Sequence, residues 1–508
     1  MLALAFSAAM YGIDGYLVRV EADSSAGTPG FALIGLPDRA LNEAKDRVRA
    51  AIVNSGLPYP AGRLLINLSP ADVRKEGPAF DLGIALALLA IDEHVDRLAL
   101  GEYVCLGELA LDGSLRPVSG ILPMVLAARS AGFGKLIVPR RNAEEAQLVE
   151  RLELYPVECL TDAIAVIAGH GAKWRAQPAS RPVPRAKGAG DFADVRGQAE
   201  AKRAFEIAAA GGHNVLLVGP PGCGKTMLAQ RFATILPAMS REEALDVTKI
   251  YSVAGLLGAA WGIVEDRPFR APHHTISQVA LAGGATRPGE ITLAHHGVLF
   301  LDELPEFHRT TIEVLRQPLE EGKLTIARVA GSFTYPARFT LVVAMNPCPC
   351  GFRGSKLHDC RCDDAAIAKY AGKLSGPLMD RIDMHVGVVP VALDELIERR
   401  PAESSAAIRA RVEAARERQR ARYRKTAISC NAAVPSHLTQ THCVLDDGST
   451  AMLRAASTRG YVSARAFDRI ARVARTIADL AGAESIAREH VGEAINYRAV
   501  ERLTSRVA

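Results

Sequence analysis

The chain has no apolar run long enough to cross a bilayer. Its longest stretches, such as Leu82 to Ile91, fall well short of the roughly 20 residues that a spanning helix needs. Strong net charge is also missing: the formal balance is +5 over 508 residues, so a nucleic-acid partner has to be argued from local clusters. Nor is there the basic start that opens an export signal. Met1 to Met10 is apolar, holds no Lys or Arg and runs on into Tyr11-Gly-Ile-Asp-Gly15, which reads as a first strand rather than a secretory leader. A cytoplasmic protein is expected, and its nine cysteines then stand for reduced thiols or a metal site rather than disulfides. Aromatic residues are few and alanine is abundant, an ordinary soluble composition, and the length allows two to four domains.

What is present is a phosphate-binding pattern. Gly219-Pro220-Pro221-Gly222-Cys223-Gly224-Lys225-Thr226 fits G-x-x-x-x-G-K-[ST], with the apolar run Asn214 to Val218 before it and the helix-like run Met227 to Ala233 after it. Strand, glycine loop and helix is the order the chemistry asks for: backbone amides close around phosphates, and the helix N-terminus adds about half a positive charge. Lys225 would neutralise the β- and γ-phosphates of ATP and Thr226 would ligate Mg²⁺, while Cys223 serves as a small residue in the loop. Val298-Leu-Phe-Leu301 ends in Asp302 and Glu303, which reads as a buried strand with two carboxylates at its C-terminal edge, where open α/β sheets bind ligands. Asp302 suits the Mg²⁺ shell and Glu303 the alignment and deprotonation of water. A third strand, Leu341 to Met345, ends in Asn346, an amide that can hold the attacking water or sense the γ-phosphate; alone, an Asn before Pro347 is a turn residue.

These three strands, in this order, resemble an AAA+ ATPase core. Arg267-Pro-Phe-Arg-Ala-Pro-His-His-Thr275, Pro288-Gly-Glu-Ile-Thr-Leu-Ala-His295, Asn346-Pro-Cys-Pro-Cys-Gly351 and Ser375-Gly-Pro-Leu-Met-Asp-Arg-Ile-Asp383 narrow the resemblance to the magnesium-chelatase-like proteins of the YifB/ComM type, over nearly the whole chain. The resemblance implies a homo-oligomer, a hexameric ring, in which Arg381 reaches the ATP of a neighbouring subunit; its plainer reading is a salt bridge with Asp380 or Asp383. Arg465, at the start of the helical run to Leu480, resembles the second sensor arginine, with Arg469 and Arg472 as competitors on the same helix.

Residues 1–170 alternate strands and helices and resemble the fold shared by ribosomal protein S5 domain 2 and the proteolytic domain of Lon protease, through Lys75-Glu-Gly-Pro-Ala79, Gly107 to Gly113 and Ser119 to Met124. Expected elements are a strand at Gly30 to Gly35, a helix burying Ala44, Val48, Ala51 and Ile52, a strand at Leu64 to Leu68, a helix from Leu82 to Ala90 and a hairpin at Val104 to Gly113. The protease pattern places its nucleophilic serine where this chain has Ala79 and its activating lysine where it has Leu122. A serine–lysine mechanism needs both, so peptidase activity is not expected. Asn67, Asp72, Lys75 and Asp81 read as solvated loop-end groups or as a surface for a protein partner of this domain. A Pro- and Arg-rich linker follows at 171–190, then the ATPase core at 191–390 and a helical lid at 391–508.

Three further features bear on substrate and metal. Leu324 to Val329 and Phe333 to Tyr335 read as a β-hairpin before the Asn346 strand; in related ring motors such hairpins project into the pore, where Lys323, Arg328 and Arg338 could follow a DNA backbone, and the alternative is a solvated hairpin. Cys348-x-Cys350 and Cys360-x-Cys362 form two close pairs that suit a structural tetrahedral Zn²⁺, or are free thiols, with His358 as a substitute ligand. Arg409 to Lys425 is strongly basic, either a solvated helix face or one that contacts phosphates or a neighbouring subunit. Together these point to an ATP-driven ring motor acting on single-stranded or branched DNA as a helicase or branch-migration factor in recombination or natural transformation. The rival is a protein-remodelling or metal-chelatase motor with a protein client.

Overall fold

The computed structural model describes residues 2–36, 43–73, 75, 77–174, 190–257, 262–284, 287–328, 331–354, 358–391, 402–458 and 464–499. At the front, β1 (Leu2–Tyr11) and β2 (Asp14–Ser25) pair antiparallel along their full length. Side chains of a strand alternate between faces: Ala3, Ala5 and Ala9 of β1 enter one core, Phe6, Ala8 and Met10 the other. Around this pair, β3 (Gly30–Ile34), β4 (Arg63–Ser69), β5 (Tyr103–Cys105), β8 (Lys135–Pro139) and β9 (Glu153–Val157) complete a seven-stranded mixed sheet in the order β3-β4-β2-β1-β5-β8-β9; β6 (Glu108–Leu109) and β7 (Leu115–Arg116) form a separate small hairpin. The helix Ala44–Asn54 buries Ala44, Val48, Ala51 and Ile52, as its spacing requires. The helix Asp81–Ile91 is buried on every side, so its sequence is apolar throughout instead of along one stripe.

Two expectations for the front domain need correction. Tyr103–Cys105 belongs to the large sheet, parallel to β8, and only residues from Glu108 onward form a hairpin. Asp81 and Lys75 are fully buried rather than solvated. Asp81 receives a two-pronged bond from Arg47 (2.9 and 3.1 Å) and one from the Leu109 amide. Burial raises its carboxyl to about 6 even though Arg47 pulls the other way. Ala79 and Leu122 are packed in the core and offer no nucleophile or base. Of the proline-rich linker, residues 175–189 lie outside the described set.

The second sheet is parallel throughout: β10 (Val215–Val218), β11 (Phe269–Arg270), β12 (Val298–Leu301), β15 (Thr340–Met345) and β16 (Met384–Gly387) stand in the order β11-β12-β15-β10-β16. Both faces are covered, which is why its strands read as unbroken apolar runs. Phe269–Arg270 is the edge strand of this sheet. Between β12 and β15 the strands β13 (Lys323–Arg328) and β14 (Gly331–Pro336) form the expected antiparallel hairpin.

That hairpin is held by the front domain. Ile13, from the β1–β2 turn, shares a small core with Ile250, Leu293, Phe333 and Tyr335, and Tyr11 packs its ring on Phe333 at 4.8 Å while its hydroxyl donates to the Ser332 carbonyl at 2.9 Å. Lys249 pairs with Asp14 at 2.8 Å alongside.

The C-terminal part is helical: Ser405–Tyr423, Ser436–His442, Asp447–Thr458, Ala464–Ala481 and Arg488–Ala499. The basic helix divides its charge: Arg409, Arg416 and Arg422 are half-buried, while Arg411, Arg418, Arg420, Arg424 and Lys425 are exposed. Arg409 donates to the Thr234 carbonyl, Arg416 to Ala209, and Arg418 to the Asp479 carbonyl, while Arg411 pairs with Glu206 and Glu403, Arg420 with Glu417 and Arg422 with Asp479. These guanidinium groups bind the helix to its own chain. No helix among the described residues is long and apolar enough to cross a membrane.

Candidate active site

Parallel register sets the site. Val218 stands opposite Met345, and Leu301 opposite Val343, so the phosphate loop, Asn346 and the Asp302-Glu303 pair leave the same edge of three adjacent strands. The helix Lys225–Ile235 starts at the end of the loop, with Gly222 (φ +77°) and Gly224 (φ +91°) in left-handed conformations that a side chain would resist. A Cβ on Gly222 would meet nothing within 4 Å, whereas one on Gly219 would stand 2.2 Å from the Val388 carbonyl. The loop is therefore closed behind and open in front, a cradle that fits a phosphate chain.

The polar groups converge on that opening. Lys225 Nζ donates to the carbonyls of Gly219 (2.7 Å) and Pro220 (2.9 Å) and to Asn346 Oδ1 (3.1 Å). The Thr226 hydroxyl donates to Asp302 Oδ2 at 2.6 Å, and the Glu303 amide to Asp302 Oδ1 at 3.0 Å. Thr226 and Asp302 thus meet where both could serve one Mg²⁺, and Glu303 is left exposed beside them, its backbone left-handed at φ +51°. Cys223 is buried behind the loop; burial pushes its thiol up, against the pull of Lys225, so it packs as a neutral small group.

A neighbour of Glu303 escaped the sequence reading. His274 Nδ1 lies 3.7 Å from Glu303 Oε2, and its ring stacks on His273 at 4.0 Å and meets Phe307 edge-on. The signal was the stretch Arg267 to Thr275, noted for its resemblance but given no role. Arg270 ties it to the Pro288 to His295 stretch through a two-pronged bond to Glu290, 2.6 and 2.7 Å.

Arg381 lies elsewhere. It precedes β16, whose first residue Met384 is opposite Val215, so it sits at the far edge of the sheet from its own phosphate loop, roughly 13 Å for four strand residues at about 3.3 Å each. Its guanidinium pairs with Glu320 of the same chain. Asp383 pairs with Arg469 (2.7 Å) and lies 3.4 Å from His213 Nδ1. Burial alone would raise Asp383, but the His213 and Arg469 contacts outweigh it and hold its carboxyl below the usual range. The side chains of Arg465 and Arg328 lie outside the described residues. Lys323 and Arg338 are exposed together at the base of the β13–β14 hairpin.

The four cysteines do come together. Sγ separations are 3.4 Å for Cys348–Cys350, 3.7 Å for Cys348–Cys360 and 3.6 Å for Cys350–Cys360, and the Cys350 amide donates to Cys362 Sγ. All four lie within 4.8 Å of one another, an arrangement compatible with one metal ion. His358 is not among them; its ring packs against Phe352.

The family described as "Magnesium chelatase, subunit ChlI" matches residues 191–396, "Subunit ChlI of Mg-chelatase" residues 20–142, and "Magnesium chelatase, subunit ChlI C-terminal" residues 402–498. YifB of Escherichia coli K12 is 43% identical over 510 residues, covering 99% of this chain and 98% of its own. Competence protein ComM of Haemophilus influenzae is 41% identical over 522 residues, covering 100% and 99%. The chain belongs to the magnesium-chelatase-like YifB/ComM family. A Lon protease of Mycolicibacterium smegmatis is 28% identical over 168 residues, 31% of this chain and 21% of that one. Membership of this AAA+-like family points to ATP hydrolysis with Mg²⁺, and the phosphate-loop geometry fits both.

Proposed function

We propose that this YifB/ComM-family protein is a cytoplasmic ATP-hydrolysing ring motor, a hexamer that translocates on single-stranded or branched DNA as a helicase or branch-migration factor in recombination or natural transformation. The observation that carries the ATPase half is the convergence of Lys225, Thr226, Asp302, Glu303 and Asn346 on one sheet edge. On this reading Lys225 holds the β- and γ-phosphates, and Thr226 and Asp302 hold Mg²⁺, which when bound spreads the charge that develops on the transferred phosphoryl group. Glu303 Oε2 takes the proton of the attacking water and Asn346 fixes that water's position. Arg381 lies a strand's length from its own phosphate loop, which supports a role at a neighbour's site. Its release from Glu320 would then accompany ring assembly. The residues from 391 onward act as the lid, residues 1–170 as an S5- and Lon-like domain that binds a protein partner, and the four-cysteine cluster holds a structural zinc ion.

The DNA half rests on less: the exposed Lys323 and Arg338 beside the hairpin, and the competence name of a relative of equal length. The decisive test is the ATPase rate against protein concentration, with and without branched DNA. DNA stimulation that Lys323→Ala removes while basal turnover stays intact supports the motor. Stimulation by a protein client alone would instead favour a remodelling or chelatase-type machine.

A further inference from the structure

Asn346 ends β15, and the chain turns at once through Pro347 into Cys348-Pro-Cys350-Gly351. That turn rests on the phosphate loop. A Cβ added to Gly351, whose φ is +85°, would stand 2.6 Å from Pro221 Cδ and 3.8 Å from Asn346 Cγ. Any side chain would push the two loops apart, so the backbones meet directly here.

Little else holds the turn. From Phe352 to Asp363 no described residue is buried, so the segment has no apolar core of its own. Its inner end is fixed by the Gly351 amide, which donates to the Cys348 carbonyl, and among the described residues its ends are brought together by the sulfur contacts and by the Phe352–His358 ring pair. A chain segment this short and exposed needs a cross-link to stay ordered. A disulfide is not that link: all four thiols are free, and separations of 3.4 Å and more greatly exceed the S–S bond of about 2.05 Å.

The geometry instead matches a single ion. A tetrahedron with metal–sulfur bonds of about 2.3 Å has edges of about 3.8 Å. The observed separations of 3.4, 3.6 and 3.7 Å come within a few tenths of that. Four protein thiolates close the coordination sphere, the pattern of a structural site rather than one that binds water.

We propose that Cys348, Cys350, Cys360 and Cys362 bind one Zn²⁺, and that this ion latches the turn after Asn346 onto the phosphate loop, so that zinc occupancy sets the grip on nucleotide. The latch, though not the metal site, rests on the ATP-binding reading above. With zinc bound, Gly351 stays against Pro221, and Asn346 Oδ1 stays within reach of Lys225 Nζ. Without it, nothing holds the four sulfurs at the corners of one tetrahedron, and they part. Asn346 and the phosphate loop then lose a shared wall.

The test uses the full chain and two readouts. Metal analysis should find about one zinc per chain, falling below a tenth in the Cys360→Ser/Cys362→Ser double variant. Binding of a fluorescent ATP analogue should weaken about tenfold in the double variant. Wild-type protein stripped by a chelator should show the same weakening and recover when zinc is returned, which keeps the test valid should the double variant fail to fold. Wild type without zinc, or with iron in its place, overturns the metal assignment. Zinc that can be removed with no change in nucleotide affinity overturns the latch. Zinc-loaded wild type that binds no ATP analogue at all overturns the nucleotide reading and with it the latch, but leaves the metal site standing.

Discussion

His274 Nδ1 lies 3.7 Å from Glu303 Oε2. The carboxylate assigned to water activation is thus braced from a separate segment, one whose other side chains, Arg267 and Arg270, are bonded to Glu243 and Glu290. Glu303→Gln keeps the shape and loses the base, so ATP hydrolysis should fall at least about 10²-fold while ATP binding persists. His274→Ala leaves the base and removes its brace, and a smaller loss in kcat than in the Glu303 variant is expected, with KM little changed. Single-turnover kinetics on both variants check this; unchanged turnover in Glu303→Gln removes it from the role.

Subunit sharing makes a different demand. If Lys225 grips phosphate in one chain and Arg381 acts on it from the next, Lys225→Ala and Arg381→Ala should each be inactive alone. A finger of this kind is worth on the order of 10³ to 10⁵ in rate. Mixed rings would contain some seams with both residues intact, and turnover should return in proportion to those seams. Mixed rings that form and remain inactive would refute the shared site. Glu320→Ala tests the resting pair with Arg381, and it should not impair assembled rings.

The sheet-edge cluster proposed to bind nucleotide was legible in the chain because its parts are local and ordered: a loop, two strand ends, and carboxylates directly after apolar runs. Its partners across space were not. Arg381 also meets Glu320, which nothing in spacing could connect to it. The basic helix shows the same limit. Counting its charges gave a phosphate-like face, but Arg409, Arg416 and Arg418 are spent on carbonyls of their own chain. Asp81 looked like a loop-end group because its partner Arg47 lies on another helix. The β5 strand was folded into a hairpin because a three-residue strand carries too little period to reveal parallel partners. The four cysteines needed no such luck, since two close pairs already limit what the loop can do.

Front-domain docking yields a third expectation. Tyr11 covers Phe333 and bonds Ser332 on the hairpin that the DNA reading invokes. Tyr11→Ala and Phe333→Ala should each weaken the contact, and a double-mutant cycle on unfolding should give a coupling of about 1 kcal/mol. If the hairpin must leave the front domain to meet DNA, Tyr11→Ala should also raise DNA-stimulated turnover. A coupling near zero would mean that the rings merely lie side by side.

Acid should loosen the protein through histidines rather than surface carboxylates. His295 is buried, its Nδ1 accepts the Arg338 amide at 3.0 Å, and His385 lies 3.3 Å from the Arg498 guanidinium. For His295, burial and then the charge of His296 push the imidazole down to about 3, against the pull of Asp246; for His385, burial and then Arg498 do the same. Both rings are neutral in the folded state at neutral pH. Above the free-histidine value of about 6.5 neither state takes a proton and there is no effect. Between about 6.5 and 3 the unfolded chain takes protons that the folded chain refuses, so stability falls as pH drops, by about 1.4 kcal/mol per pH unit for each ring. His213, buried beside Asp383, shifts in the same direction. The urea midpoint should therefore be lower at pH 5.5 than at pH 7.5, and His295→Asn, whose amide oxygen can replace Nδ1 as acceptor, should flatten that slope by removing one ring's share. A midpoint that does not move between the two pH values would mean that these rings can be protonated in place, with Asp246 as the counter-charge for His295.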